Sequence, residues 1–198
     1  MKRPAVFLDR DGTINEQMGY INHPSRFVLL PGVARAIRLL NENDVLAIVV
    51  SNQSGVARGY FPLDLVHEVH TIMREELALH GAVLNEVLFC PHHPQGTVKE
   101  YARACECRKP KTGMVDSARD RFDIDMTRSF VVGDRFSDVE LAHRCGMEAV
   151  LVETGYGRGE VQYVLPDKEH QPAHVARDLE AAVRWMLHKQ GMLALQDS

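Results

Sequence analysis

Five short apolar runs alternate with segments of helical periodicity, and this alternation limits the possible folds more than any other feature. The runs are Ala5–Leu8, Val45–Val50, Val87–Phe89, Phe130–Val132 and Ala149–Val152. They are nearly continuous in apolar residues, as expected for strands that are buried on both faces. Strands and helices in alternation predict a Rossmann-like α/β fold, in which helices flank both faces of a parallel sheet.

The helical segments carry start and stop signals, mainly a proline in the first turn or a glycine after the last turn. The predicted helices are Pro31 to about Asn43, Pro62 to about Gly81, Met114–Phe122, Phe136–Cys145 and about Val175–Leu187. The chain has 198 residues, of which 45% are hydrophobic. This length predicts a single domain, residues 1–198, that buries its own core and has no large cap domain.

Charge and hydropathy limit the kinds of molecule that this chain is expected to bind. The formal net charge of −4 argues against a nucleic-acid-binding protein, which usually carries a basic excess. No segment approaches the eighteen apolar residues of a membrane span, and the apolar run after Met1 is too short for a signal peptide. We therefore expect a cytoplasmic protein without membrane partners, and a monomer, because no heptad pattern demands a partner helix.

Two acids follow the first apolar run, in the sequence Asp9-Arg10-Asp11-Gly12. One carboxylate at such a strand end can attack phosphorus, and the second can protonate the leaving oxygen and then activate water. Gly12 lets the backbone turn so that both groups face one volume. Taken alone, the same pattern fits a surface turn with solvated acids.

Polar residues also follow the other predicted strands, where ligands bind in parallel sheets. Ser51, Asn52 and Gln53 offer a hydroxyl and amides to phosphoryl oxygens. Lys109 can offset the charge that a phosphate and a nucleophile share. Asp134 can complete an oxygen-ligated Mg²⁺ site with Asp9.

The motifs DRDGT, SNQ, RKPK and GDRFSD occur in this order at these strand ends. Together they resemble the haloacid dehalogenase superfamily of phosphohydrolases from about Val6 to about Gly155. The resemblance implies a nucleophile, a general acid/base, a hydroxyl and a lysine at Asp9, Asp11, Ser51 and Lys109. It also implies Mg²⁺ at Asp9, Asp11 and Asp134, and substrate contacts from Asn52, Gln53 and Ser54. Asp138 either acts near the metal or places a favourable charge at a helix N-terminus.

A cysteine–histidine loop, residues 90–107, is inserted after the third predicted strand. Cys90, His92, Cys105 and Cys107 make the Cys₃His set of a closed structural Zn²⁺ site. Such a site leaves no position for water, so its role is to order the loop that leads to Lys109. His93 is expected to lie outside the site. A zinc finger for nucleic acid is disfavoured because no basic helix follows.

Within the superfamily, this loop resembles those of the heptose-bisphosphate phosphatases and of the histidinol-phosphate phosphatases. The long stretch between His92 and Cys105 is similar to the heptose enzymes. Arg108 could hold a second, uncleaved phosphate, whereas histidinol phosphate offers a cation instead. The resemblance thus implies a sugar bisphosphate as the substrate. A non-catalytic phosphosugar-binding protein remains the alternative from another class.

Specificity without a cap has to come from loops. Gln17, Gly19 and Tyr20 lie in a segment that resembles a flap over the sugar, although a plain hairpin would read similarly. Arg108, Lys109 and Arg135 are expected to attract the bisphosphate. Arg10 could join them or point outward. Whether the loop 155–160 touches the substrate is open.

Overall fold

The computed structural model describes residues 2–193 and contains one six-stranded sheet. The strands are β1 (Ala5–Leu8), β2 (Leu46–Asn52), β3 (Glu86–Cys90), β4 (Phe130–Gly133), β5 (Glu148–Val152) and β6 (His174–Ala176). Their order is β3-β2-β1-β4-β5-β6, and every neighbouring pair is parallel. The predicted Rossmann-like fold class is confirmed.

Within residues 2–193, six helices connect and cover the strands. They are α1 (Val33–Glu42), α2 (Leu63–Leu79), α3 (Gly113–Arg119), α4 (Phe136–Arg144), the short turn α5 (Gly157–Gly159) and α6 (Leu179–Lys189). Short 3₁₀ turns occur at Pro24–Arg26 and Met126–Arg128, and the helical path after α5 continues through Glu160–Val164 and Leu165–Asp167. None of the helices within residues 2–193 has both the length and the apolar content that crossing a membrane requires.

Alternating side chains of each strand pack into two separate cores, because successive residues of a strand point to opposite faces. Val6 and Leu8 pack with α1, α2 and α6 on one face. Ala5 and Phe7 pack with α3 and α4 on the other. Burial on both faces explains why these strands read as continuous apolar runs.

The last predicted helix is wrong at its start. Residues His174–Ala176 form the edge strand β6, which pairs with β5. Asp178 follows as the N-cap, and its carboxylate accepts a hydrogen bond from the Ala181 N–H at 2.8 Å. The helix therefore begins at Leu179. Trp185 packs as expected, with its ring 6.2 Å from that of Phe130.

Candidate active site

The strand order reverses between β1 and β4, since the chain proceeds outward from these two neighbours in opposite directions. The helix that follows β1 covers one face, and the helix that follows β4 covers the other. Such a switch point leaves a crevice beyond the carboxyl ends of the strands. A cavity of about 420 Å³ lies there, and Asp9, Asp11 and Lys109 line it.

Lys109 bridges two carboxylates at the floor of this cavity. Its Nζ lies 2.6 Å from Asp9 Oδ1 and 2.7 Å from Asp138 Oδ1. The lysine side chain is 2% exposed. Burial alone would lower the Lys109 pKa, but the charges of Asp138 and Asp9 raise it above its ordinary value, so the ammonium persists. Asp138 also accepts the Arg135 N–H at 3.2 Å, and both of the roles considered for it are compatible with these contacts.

Lys109 is held in place by Asn52, the last residue of β2. The Lys109 N–H donates to Asn52 Oδ1 at 3.0 Å, and Asn52 Nδ2 donates to the Lys109 carbonyl at 3.2 Å. The side-chain amide of Asn52 thus makes both a donated and an accepted hydrogen bond with the backbone of Lys109, as a neighbouring strand does in a sheet. The position of the ammonium is set by the sheet, through a residue on a strand.

Asp134 brings a third carboxylate to Asp9 and Asp138. One potential ligand oxygen from each of the three lies within 4.8 Å of those of the other two. Asp134 Oδ2 accepts the Tyr156 N–H at 2.8 Å, whereas the buried Oδ1 has no hydrogen-bond partner among residues 2–193. Gly12 permits this packing, because its φ is +89° and a Cβ there would collide with the Asp134 carboxylate. An unpartnered buried carboxylate oxygen in such a cluster fits a hard divalent cation.

Burial, together with the proximity of these acids to one another, raises the pKa values of Asp9 and Asp134. Burial and the nearby Asp138 raise the pKa of Asp9 to about 6 against the opposing charge of Lys109. Burial and the charge of Asp9 raise the pKa of Asp134 to about 8. In the absence of a cation, part of the cluster therefore holds protons near neutral pH.

This proton binding predicts how metal-free stability depends on pH. Acids with raised folded-state pKa values stabilise the fold below their unfolded pKa, and that stability is lost as pH rises through about 6 and about 8. We expect the Tm in magnesium-free buffer to fall between about pH 5 and pH 8.5, and Mg²⁺ to raise it most at the alkaline end.

The matched variant is Asp134→Asn, measured by thermal denaturation without chelator so that the cysteine cluster is undisturbed. Because the variant lacks the acid with the larger shift, its Tm should fall less with pH than that of the wild type. Equal slopes in the two proteins would contradict the assignment of raised pKa values to this cluster.

Arg10 fills neither role considered for it from the sequence. Its side chain is 2% exposed and lies beneath Asp11, so it points neither to solvent nor to the cavity. Arg10 Nη2 donates to both Asp11 carboxylate oxygens at 2.8 Å, and Asn15 Nδ2 donates to Oδ1 at 3.0 Å. Burial would raise the Asp11 pKa, but the charge and hydrogen bonds of Arg10 hold it below its ordinary value.

Ser51 and Gln53 also lie below the cavity. Gln53 Nε2 donates to Ser51 Oγ at 2.7 Å and to Asp11 Oδ2 at 2.8 Å, and its side-chain oxygen accepts from Arg10 at 3.2 Å. Ser51 is thereby linked to Asp11 through one amide. Asn52 and Ser54 line the cavity itself. Residues 51–54 therefore alternate between side chains that line the cavity and side chains that lie beneath it.

Basic side chains surround the cavity opening. Arg108 and Arg135 line it as expected, and Arg58, which sequence analysis missed, joins them. In the part of the chain that the structure describes, none of the three forms a carboxylate ion pair within 4.0 Å. Arg58 Nη2 instead donates to His93 Nε2 at 3.0 Å. These guanidiniums remain available to an anionic ligand.

The segment after Asp11 forms another wall, and Gln17, Gly19 and Tyr20 all line the cavity. Gln17 Oε1 accepts the Gly19 N–H at 2.9 Å, which closes a tight turn. The Tyr20 ring packs edge-on against Tyr60 with centroids 4.7 Å apart. From the opposite side the loop 155–160 contributes Tyr156, whose ring lies 3.9 Å from the Arg135 guanidinium carbon.

The four predicted zinc ligands lie together at the end of β3. One ligand atom from each of Cys90, His92, Cys105 and Cys107 falls within 4.8 Å of the other three. The Cys105 and Cys107 Sγ atoms are 3.4 Å and 3.0 Å from Cys90 Sγ, and His92 Nδ1 is 3.4 Å from Cys107 Sγ. This donor set and its compactness fit a tetrahedral zinc ion. His93 contacts Arg58 and lies outside the cluster.

A doubly wound parallel sheet that places an acid pair, a lysine and two further acids around one cavity defines a phosphohydrolase of the haloacid dehalogenase type. The comparisons with known proteins agree. A family model described as HAD-hyrolase-like matches residues 106–182.

Two named relatives are similar over most of their length. A D-glycero-D-manno-heptose-1,7-bisphosphate 7-phosphatase of Thermosynechococcus vestitus is 44% identical over 94% of this chain and 96% of its own. The D-glycero-beta-D-manno-heptose-1,7-bisphosphate 7-phosphatase of Escherichia coli is 44% identical over 77% of this chain and 80% of its own.

A solved structure is similar as well. The D,D-heptose 1.7-bisphosphate phosphatase of B. bronchiseptica, complexed with magnesium and phosphate, has a TM-score of 0.82 at 32% identity and covers 94% of this chain and 99% of that one. The chain therefore belongs to the heptose-bisphosphate 7-phosphatase family of haloacid dehalogenase-like hydrolases.

Proposed function

We propose that this chain is a magnesium-dependent phosphatase that removes the 7-phosphate of D-glycero-D-manno-heptose 1,7-bisphosphate through an aspartyl-phosphate. The observation that carries the proposal is the buried cluster of Asp9, Lys109 and Asp138, which opens into a cavity. The rim of this cavity holds three guanidiniums that have no carboxylate partner within the described part of the chain. The floor suits a phosphoryl group in transfer, and the rim suits a second phosphate. Relatives that are 44% identical to this chain over the aligned residues carry this activity in their names.

The reaction divides between two acids. The Asp9 carboxylate attacks phosphorus, and the phosphorus–oxygen bond to the sugar breaks as Asp11 gives its proton to the departing oxygen. Asp11 then takes a proton from water, which attacks the aspartyl-phosphate, releases phosphate and regenerates Asp9. Asp11 is ionised in the free protein, and the negative charge of an arriving phosphate raises its proton affinity. Lys109 stabilises the charge that builds up beside Asp9.

The carboxylate cluster would hold Mg²⁺ through Asp9 and Asp134. A contribution from Asp11 would have to use its main-chain carbonyl oxygen, because its carboxylate is occupied by Arg10, Asn15 and Gln53. When bound, Mg²⁺ would neutralise part of the negative charge that the carboxylates and the substrate phosphate bring together. A structural Zn²⁺ would be held by Cys90, His92, Cys105 and Cys107.

The second phosphate is assigned to the arginines of the rim. Arg108 precedes Lys109, so a phosphate bound to its guanidinium lies beside the reacting group. Arg58 and Arg135 contribute charge from two other loops. A fork of N–H donors suits a phosphate better than it suits the cation of histidinol phosphate, for which this rim is repulsive.

Arg108→Ala is therefore expected to lower kcat/KM for the bisphosphate roughly 10- to 100-fold, since a hydrogen bond to a charged group contributes about 1.5–3 kcal/mol. The loss should appear mainly in KM. With p-nitrophenyl phosphate, which has one phosphate only, the change should be small. Arg119→Ala on the exposed side of α3 is the matched control and should resemble the wild type with both substrates.

The test of the proposed function compares phosphate release from heptose 1,7-bisphosphate, fructose 1,6-bisphosphate and histidinol phosphate under the same conditions. We expect the highest kcat/KM with the heptose bisphosphate. A preference for histidinol phosphate would reject the substrate assignment but not the phosphatase. Binding of all three without phosphate release would point to a non-catalytic phosphosugar-binding protein.

The proposal includes a cellular setting and an assembly. We take residues 1–198 as one catalytic domain with the zinc loop 90–107 inserted after β3, acting as a monomer on a small molecule. Reduced cysteines able to bind zinc suit the cytoplasm. The product would enter the synthesis of lipopolysaccharide or of another glycan that contains heptose.

A further inference from the structure

A buried chain of polar contacts leads from Asp11 away from the cavity to His70 on α2. Arg10 Nη1 and His70 Nε2 are 3.3 Å apart. The two residues are 2% and 7% exposed. The proposed mechanism uses neither side chain, although both lie within two contacts of the general acid/base.

The chemistry of the pair fixes the state of the histidine. A guanidinium has N–H donors and no acceptor, so His70 Nε2 must accept and the proton of the neutral ring lies on Nδ1. Burial, and then the charge of Arg10, lower the pKa of His70 to about 3. The ring is also packed edge-on against Phe89, with centroids 5.2 Å apart. His70 is thus a neutral, buried hydrogen-bond acceptor.

The guanidinium group of Arg10 is therefore hydrogen-bonded on two sides, to Asp11 and to His70. Nη2 and Nε donate to the Asp11 carboxylate, Nη2 also donates to Gln53 Oε1, and Nη1 donates to His70. Loss of the histidine acceptor would leave a buried N–H without a partner, which is costly. The guanidinium would then turn to find another partner, and the carboxylate bound to it would turn as well.

We propose that His70 is a positioning residue for Asp11, which acts through Arg10 to aim the carboxylate at the leaving oxygen. This inference rests on the proposed function, in which Asp11 protonates the sugar oxygen. Small misalignments of a proton donor are expensive in rate, because proton transfer requires hydrogen-bond distance and direction.

Substrates with different leaving groups distinguish a positioning role of His70 from a purely structural one. A sugar alkoxide is strongly basic and must be protonated as it departs, whereas p-nitrophenolate departs without a proton. The ratio kcat/KM reports the steps up to the transfer of the phosphoryl group to Asp9, where Asp11 is the acid. A misaligned acid therefore affects an alkyl ester far more than an aryl ester.

The experiment measures kcat/KM of the full chain with magnesium and zinc present, using p-nitrophenyl phosphate and the alkyl phosphate that the wild type hydrolyses best. His70→Leu should lower kcat/KM for the alkyl ester at least roughly tenfold and for the aryl ester less than about threefold. His70→Gln, whose side-chain oxygen can accept from Arg10, should recover most of the loss.

The matched control is His67→Leu on the same helix. His67 is exposed and also packs edge-on against Phe89, with centroids 5.4 Å apart, so this variant should leave both rates unchanged. Equal losses of His70→Leu with the two esters, or no loss with either, would overturn the positioning role. If His70→Leu does not fold, His70→Gln alone tests the positioning role. A loss of kcat/KM in His70→Gln that is equal for the two esters, or that is confined to the aryl ester, would overturn that role. A wild type that hydrolyses no phosphate ester would instead reject the proposed function.

Discussion

Asp9→Asn is expected to lower phosphate release at least roughly 10⁴-fold, because the variant has no nucleophile to carry the phosphoryl group. The amide retains the size of the carboxylate, so the packing at the end of β1 should persist. The free energy of unfolding should not decrease. The raised pKa of Asp9 indicates that burial and the nearby Asp138 destabilise its ionised carboxylate in the folded protein, and a neutral amide avoids this cost. The measurement is phosphate release with thermal denaturation of the same samples.

The matched control for Asp9→Asn is Asp120→Asn, which removes an exposed acid at the end of α3. This control should retain wild-type turnover. Rapid quenching followed by intact-mass measurement should find a phosphoryl adduct in the wild type and none in Asp9→Asn. An Asp9→Asn variant within about tenfold of wild-type turnover would exclude the aspartyl-phosphate mechanism.

Cys107→Ser is expected to abolish zinc binding, from about one ion per chain to less than about a tenth. Three remaining ligands cannot close a tetrahedral structural site. Structural zinc contributes far more than ~3 kcal/mol in isolated peptides. If losing the zinc lowers the free energy of unfolding by only ~3 kcal/mol, the Tm of a domain of this size falls by roughly 6–12 °C. Activity toward the bisphosphate should fall as well, because the same loop ends at Arg108, which lines the cavity and is proposed to hold the second phosphate.

Elemental analysis of freshly purified protein checks the zinc content, with phosphate release and Tm measured on the same samples. Cys145→Ala is the matched control, because Cys145 lies at the end of α4 and outside the cluster. Its zinc content should equal that of the wild type. Wild-type protein without zinc, or a Cys107→Ser variant that keeps it, would contradict the proposed site.

Much of the fold and site could be predicted because the sheet is buried on both faces and its strands end in polar residues. Continuous apolar runs revealed β1 to β5, and the acids, amide and lysine beyond them meet since parallel strands share one carboxyl edge. The strand β6 gave no such signal. It has three residues, of which only Ala176 is buried, so helical periodicity outweighed it.

Arg10 and Arg58 show what the sequence left hidden. A charged residue between two acids suggested solvent or substrate, and only tertiary contacts from Gln53, just after β2, and from His70 on α2 could reveal that Arg10 is buried. Arg58 lies seven residues past Ser51, in a turn without periodicity. His70 did give a signal, since it follows Val69 and precedes Met73 on the buried face of α2.

The two-way pairing of Asn52 with the backbone of Lys109 has a consequence for how such enzymes diversify. Cys90 ends a strand and Lys109 is fastened to the neighbouring strand, so the chain between them is tethered at both ends. Its length and composition can change while the ammonium stays in place, because lengthening a tethered loop has a modest entropic cost. Evolution, or a protein engineer, could exchange this segment to alter substrate choice and leave the phosphoryl-transfer apparatus untouched.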